Sequence, residues 1–153
     1  PLGVALEWLS STFPVPKKSK DFPWRGVFDA RGLNSQTRRV SYPLPIIEDL
    51  LVKQGGNAIF SILDLRQAFH QQPLEPASRP LTACYTPEGV YQWRVNVMGL
   101  ANASQQFQMM MEDRLQSLRN ICDPYIDDIL VGTPQPENGA DLIEAHMKDL
   151  ELV

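Results

Sequence analysis

A chain of 153 residues, 43% hydrophobic and 21% charged, is long enough for a buried core and ordinary for a globular fold. No apolar run nears the roughly 18–20 residues of a membrane span, and no basic start with an apolar stretch marks a secretory leader; no membrane partner is expected. The net charge of −4 hides an asymmetry: residues 1–40 hold seven Lys/Arg against three Asp/Glu, and residues 41–153 hold seven against fifteen. A basic first part and an acidic remainder suit phosphate-binding groups set against metal-binding ones, although solvated surface charge accounts for them equally well.

Thirteen prolines punctuate the chain, and Pro14, Pro16 and Pro23 keep residues 1–23 extended and irregular. A short strand is expected over 25–30. After Tyr42-Pro43-Leu44-Pro45, Ile46 to about Lys53 reads as a helix with Ile46, Ile47, Leu50 and Leu51 on one side, stopped by Gly55-Gly56. Residues 58–65 read as a buried strand. Strands over 81–86 and 90–95 follow, joined by Pro87-Glu88-Gly89. Asn102 or Ser104 caps a helix to about Leu118, and Phe107, Met110, Met111, Leu115 and Leu118 recur at helical spacing, a stripe that reads as core. Cys122 to Val131 reads as a hairpin. The last helix runs from about Asn138, with Ile143, Met147 and Leu150 as its apolar face. The expected class is α/β (α+β), a largely antiparallel sheet backed by helices. His70 and His146 lack metal-ligand spacing and read as structural or surface residues. Cys84 and Cys122 lack both metal and disulfide-scaffold spacing, which favours a reducing compartment.

The segment Tyr125-Ile126-Asp127-Asp128-Ile129-Leu130-Val131 places two adjacent carboxylates in an apolar hairpin. Carboxylates seldom sit among such residues without a partner. Asp64, at the end of the strand over 58–65, offers a third. Mg²⁺ takes hard oxygen ligands, and two ions about 3.5–4 Å apart stabilise the attacking and leaving oxygens of an in-line phosphoryl transfer. On spacing alone, a solvated acidic turn explains Asp127 and Asp128 as well.

The context favours the metal reading. Val15-Pro16-Lys17-Lys18, Trp24-Arg25, Asp29-Ala30-Arg31-Gly32-Leu33-Asn34, Tyr42-Pro43-Leu44-Pro45, Phe60-Ser61-Ile62-Leu63-Asp64-Leu65, Ala68-Phe69-His70-Gln71, Gly99-Leu100-Ala101-Asn102-Ala103, Phe107-Gln108 and Tyr125-Ile126-Asp127-Asp128 come in one order. In that order the chain resembles the fingers–palm segment of reverse transcriptases, particularly the gypsy-type LTR retrotransposon group and related retroviral enzymes, over about residues 13–150. The resemblance implies a polymerase palm with partial fingers: about 1–60 and 70–100 as fingers, about 61–69 and 101–153 as palm. It implies RNA-directed DNA polymerase activity, with nucleotidyl transfer from a dNTP to a primer 3′-hydroxyl on an RNA or DNA template. Asp64, Asp127 and Asp128 then hold two Mg²⁺ ions, or Mn²⁺, with the Leu65 carbonyl as a further ligand. Lys18 and Arg25 close on the triphosphate, and Phe69 is the steric gate against a ribose 2′-hydroxyl. Met98 and Gln108 border the nucleotide, and Tyr125 and Gly99 meet primer and template. The resemblance further implies a processed piece of a longer polyprotein, with thumb, connection and RNase H regions absent, feeble activity in isolation, and a cytoplasmic virus-like particle or nuclear setting.

The likeness has gaps. Met98 stands where relatives carry Phe, Ser104 where they carry Pro, and Cys84 where they carry Phe. These departures suit an altered nucleotide pocket, or a decayed or co-opted domain that serves only as a nucleic-acid- or protein-binding scaffold.

Overall fold

The computed structural model describes residues 8–18, 23–137 and 139–153. They form two compact units, one of the described residues up to 40 with 67–103, the other of the described residues of 41–66 and 104–153. Residues 41–60 cluster with the strand that ends at Asp64. Asn138, the expected start of the last helix, lies outside the described residues.

The first unit is built on a four-stranded sheet of order β2-β1-β4-β5. Strand β1 (Ser10–Pro16) pairs antiparallel with β2 (Trp24–Phe28), from Thr12↔Phe28 to Pro16↔Trp24. It also pairs parallel with β4 (Cys84–Thr86), but only at Ser10 and Ser11. Pro14 and Pro16 lie beyond that short ladder, where a strand tolerates a missing N–H; Ser10–Pro16, within the stretch expected to be irregular, is a strand. Strand β5 (Gly89–Tyr91) closes a hairpin with β4 at Thr86↔Gly89. These two strands are shorter than expected because Pro76–Thr82 forms 3₁₀ turns containing Pro80. The Thr82 hydroxyl also accepts from the Trp93 N–H at 3.0 Å, taking that peptide out of a ladder. Phe28, Ala30, Cys84 and Val97 make the core, with Leu33, Trp93 and Leu100 packed against it. Burial pushes the Cys84 thiol up.

Helix α1 (Arg31–Gln36) was not anticipated from the chain's periodicity. Its Asn34 side chain donates to the Gly99 carbonyl at 2.7 Å and accepts from the Ala101 N–H at 2.8 Å. Asn102 does the reverse service, donating to the Arg38 carbonyl at 2.9 Å and accepting from the Val40 N–H at 3.0 Å. Two asparagines thus zip residues 34–40 to residues 99–102. Asp29, just before the helix, grips Arg31 through both carboxylate oxygens at 2.9 and 2.8 Å. The side-chain hydrogen bond from Arg31 holds the Asp29 carboxyl down from 3.8 to about 2. The pair's contribution is therefore complete above about pH 4 and lost as pH falls toward 2. Titration followed by NMR should place Asp29 near 2, and Arg31→Ala should raise it toward 3.8 without reaching it, because the backbone N–H at position 31 still donates to Asp29.

The second unit is built on an antiparallel sheet of order β3-β7-β6. Strand β3 (Asn57–Asp64) pairs with β7 (Asp128–Pro134), which also pairs with β6 (Cys122–Tyr125). Strand β3 was expected to be buried, yet it alternates, with Phe60 48% and Ile62 71% exposed. It is the edge strand of the sheet, and helix α4 (Leu142–Leu152) packs on β7. Helix α3 (Ala103–Arg114) buries Ala103, Phe107 and Met111, and Leu115 continues the stripe just past its end.

Two helices turn a different face inward from the one their apolar residues suggest. In α2 (Ile47–Gln54), Ile47, Leu51 and Val52 are exposed, as is Ile46 before it, and the buried residue is Gln54. In α4, Ile143 and Met147 are exposed and His146 is buried. Hydrogen bonds decide both faces. Gln54 donates to Asp123 at 2.7 Å, and Lys53 ion-pairs with the same carboxylate. His146 Nδ1 lies 2.8 Å from the Thr133 hydroxyl, and Nε2 lies 2.8 Å from the Ser61 hydroxyl. The Thr133 hydroxyl spends its one proton on Asp149 at 2.5 Å, so Nδ1 must donate to it. In neutral His146 the bare Nε2 then accepts from Ser61.

Gly132 shows how closely α2 sits. A Cβ there would overlap the Gln54 and Asn57 side-chain ends, which are hydrogen-bonded to each other and, through Gln54, to Asp123. Gly132→Ala should cost about 2–3 kcal/mol in urea unfolding, from overpacking and a displaced buried hydrogen bond. A cost under about 0.5 kcal/mol would show that the amides swing aside freely.

Candidate active site

Asp64 closes β3 and Asp128 opens β7, and the ladder pairs them directly. Asp128 also pairs with Tyr125 across β6 and β7. Directly opposed residues share a sheet face with Cβ atoms about 4.5–5.5 Å apart, so Asp64, Asp128 and Tyr125 line one face. Asp127 sits in the turn between β6 and β7, and its carbonyl accepts from the Leu65 N–H at 2.9 Å. That bond extends the β3 end of the sheet to the hairpin tip.

Among the described residues, no hydrogen bond or ion pair engages the carboxylates of Asp64, Asp127 or Asp128. Three free carboxylates beside a main-chain carbonyl at Leu65 are hard oxygen donors, the set Mg²⁺ takes. They are not closed upon a point: among the described residues no group of three His, Cys, Asp or Glu side chains is arranged to hold a metal ion. The donor chemistry fits a divalent ion.

Backbone strain marks the same hairpin. Among the described residues the non-glycine positions with positive φ are Gln67 at 53° and Ile126 at 54°. For a β-branched residue such as Ile126 this is a true outlier, and such strain gathers at functional sites.

A separate cavity of about 470 Å³ lies within the first unit, lined by Lys17, Arg25, Gln67, Phe69, His70, Trp93, Met98 and Gly99 among others. Its walls are mainly apolar, and two cationic side chains reach it, a combination suited to a nucleoside with its phosphates. His70 stacks on Trp93 with ring centroids 5.8 Å apart. Among the described residues, the buried Trp93 indole N–H has no hydrogen-bond partner. Gly99 sits at φ 98°, a conformation that favours glycine, with its carbonyl held by Asn34.

Of the expected nucleotide residues, Arg25, Phe69 and Met98 line this cavity, as does Gly99. Lys18 does not; it is exposed in the bend after β1, and Lys17 lines the cavity instead. Gln108 is fully buried in α3, outside the lining, with its amide engaged by the β6–β7 hairpin. Sequence reasoning missed Lys17 as distinct from Lys18, and Gln67, which has no sequence signal. Trp93 and the His70 stack were equally unmarked, because only the folded chain sets those rings together.

Residues 15–152 match the profile of the reverse transcriptase (RNA-dependent DNA polymerase) family, and the chain belongs to that family. It is 41% identical over 110 residues to the enzymatic polyprotein of Cestrum yellow leaf curling virus, covering 71% of this chain and 17% of that protein. It is 34% identical over 147 residues to the retrovirus-related Pol polyprotein from transposon opus of Drosophila melanogaster, covering 95% of this chain and 14% of that one. The chain thus spans about one sixth of the length of these curated relatives. The crystal structure of prototype foamy virus protease-reverse transcriptase superposes with a TM-score of 0.75 at 27% identity, covering 93% of this chain and 18% of that one. A foamy viral protease-reverse transcriptase solved in complex with dsDNA superposes at 0.76, and at 22% identity that likeness shows the fold.

Proposed function

We propose that the chain carries the catalytic core of an RNA-directed DNA polymerase of an LTR retroelement, gypsy-type in its motifs. The core transfers a nucleotide from a dNTP to a primer 3′-hydroxyl on an RNA or DNA template. The observation that carries the reading is the Asp64↔Asp128 pair with Asp127 beside it, three carboxylates unengaged among the described residues of a chain of this family. Asp64, Asp127, Asp128 and the Leu65 carbonyl would hold two Mg²⁺ ions, with Mn²⁺ an admissible substitute. Bound there, the ions would supply charge neutralisation and a more nucleophilic hydroxyl.

The remaining work falls to the chain's own groups. Arg25 and Lys17 bind phosphate oxygens, Arg25 through its planar fork. Phe69 presses on the sugar and rejects a 2′-hydroxyl by clash. Met98 and Gly99 let the base pair lie close to the backbone, and Tyr125 supports the primer end from the same sheet face as Asp64 and Asp128. Partners from the parent polyprotein, thumb and RNase H among them, would grip the duplex in a cytoplasmic particle. The test is primer extension by the parent polyprotein on an RNA template: incorporation should require added Mg²⁺ and stop on chelation. Incorporation that survives chelation would reject the reading. A binding scaffold without catalysis is favoured by the unclosed carboxylates, and it predicts duplex binding with no incorporation at any Mg²⁺ concentration.

A further inference from the structure

The Gln108 side chain is 0% exposed, deep in α3, and every polar atom of its amide is used. Nε2 donates to the Pro124 carbonyl at 2.9 Å and to Glu112 Oε1 at 2.7 Å. Oε1 accepts from the Ile126 N–H at 2.7 Å. One amide therefore bridges the peptide groups on either side of Tyr125. The peptide it captures belongs to Ile126, the residue held at φ 54° immediately before Asp127.

The amide's orientation is itself determined. Glu112 offers only acceptors, so it draws the Gln108 nitrogen toward itself and leaves the oxygen facing Ile126. Glu112 is held in turn by the Tyr42 hydroxyl, which donates to Oε2 at 2.6 Å, and by Arg119 at 3.4 Å. A carboxylate at position 108 would face Glu112 and the Pro124 carbonyl with no proton to give.

We propose that Gln108 is a positioning residue for the Asp127–Asp128 hairpin: its amide clamps Ile126 in the left-handed conformation, and Glu112 with Tyr42 fixes which way the amide faces. The clamp's part in catalysis rests on the polymerase reading of those carboxylates; the clamp itself does not. A residue that contacts nucleotide raises KM, whereas one that aims the hairpin lowers kcat.

Two measurements test it. Hydrogen exchange on the unaltered chain should find the Ile126 amide protected about tenfold or more relative to an open turn. Gln108→Met, close in volume and without hydrogen-bonding capacity, should remove that protection while Ile129 and Val131 stay protected. In single-nucleotide incorporation, Gln108→Met and Gln108→Glu should lower kcat about 10- to 100-fold, with KM for dNTP within about twofold. An unprotected Ile126 in the unaltered chain overturns the proposal without any variant. Unchanged protection in a folded Gln108→Met does so too, as does raised KM at constant kcat. Loss of protection in Gln108→Met, together with no Mg²⁺-dependent incorporation by the unaltered protein, supports the clamp and rejects the polymerase reading.

Discussion

Asp127→Asn should lower nucleotide incorporation by about three orders of magnitude while leaving the fold intact, because the change removes transition-state charge stabilisation and little else. The substitution preserves side-chain shape. The structural contribution of Asp127 is its carbonyl, which accepts from Leu65 and is untouched by the change. Asp64→Asn should be equally damaging and, in addition, slightly stabilising. Asp64 and Asp128 are directly opposed, and among the described residues neither carboxylate has a partner. Like charges in that arrangement are destabilising, so neutralising one should raise unfolding free energy by about 0.2–1 kcal/mol. Loss of activity with gain of stability separates a site residue from a structural one. Asp123→Asn is the contrasting control: its carboxylate is buried against Lys53 and Gln54, and its loss should destabilise. Incorporation rates from the parent polyprotein and urea unfolding together decide the matter. Equal incorporation by Asp127→Asn and the unaltered protein would remove the proposed site.

Phe107→Ala should be the most destabilising single truncation, at about 3–5 kcal/mol in urea unfolding. The ring is 1% exposed and sits in the inward stripe of Ala103, Phe107, Met111 and Leu115. Residues four apart on a helix share a face, so the void would open in the middle of that stripe. Domains are commonly stable by only 5–15 kcal/mol, so the variant should be marginal at 25 °C. The damage should also reach the hairpin, because the next residue, Gln108, holds Pro124 and Ile126. A cost below about 1.5 kcal/mol would mean that the neighbouring side chains collapse into the space.

The strand ending at Asp64, the α3 stripe and the hairpin around Asp127 were legible because each follows from local period and turn chemistry. The inward faces of α2 and α4 were not. Ile47, Leu51, Ile143 and Met147 recur as core residues do, yet they lie exposed, while Gln54 and His146 are buried. Periodicity identifies an amphipathic helix; which face meets the sheet depends on partners such as Asp123, Ser61 and Thr133, far away in the chain. The assignment of Gln108 to a nucleotide contact failed to anticipate its burial for the same reason: its partners lie 16 and 18 residues onward, across a helix end and a strand. Lys17 and Lys18 are neighbours in a basic run, and only the folded chain decides which of them lines the cavity.

By itself the sequence determined the family, the three carboxylates and the positions at which strands end in acid, since these follow from residue identity and order. Tertiary structure alone decided that Asp64 stands opposite Asp128, that Ile126 is held left-handed, and that a buried amide holds it. Register and side-chain hydrogen bonding are settled between distant segments, and neither leaves a local mark in the chain.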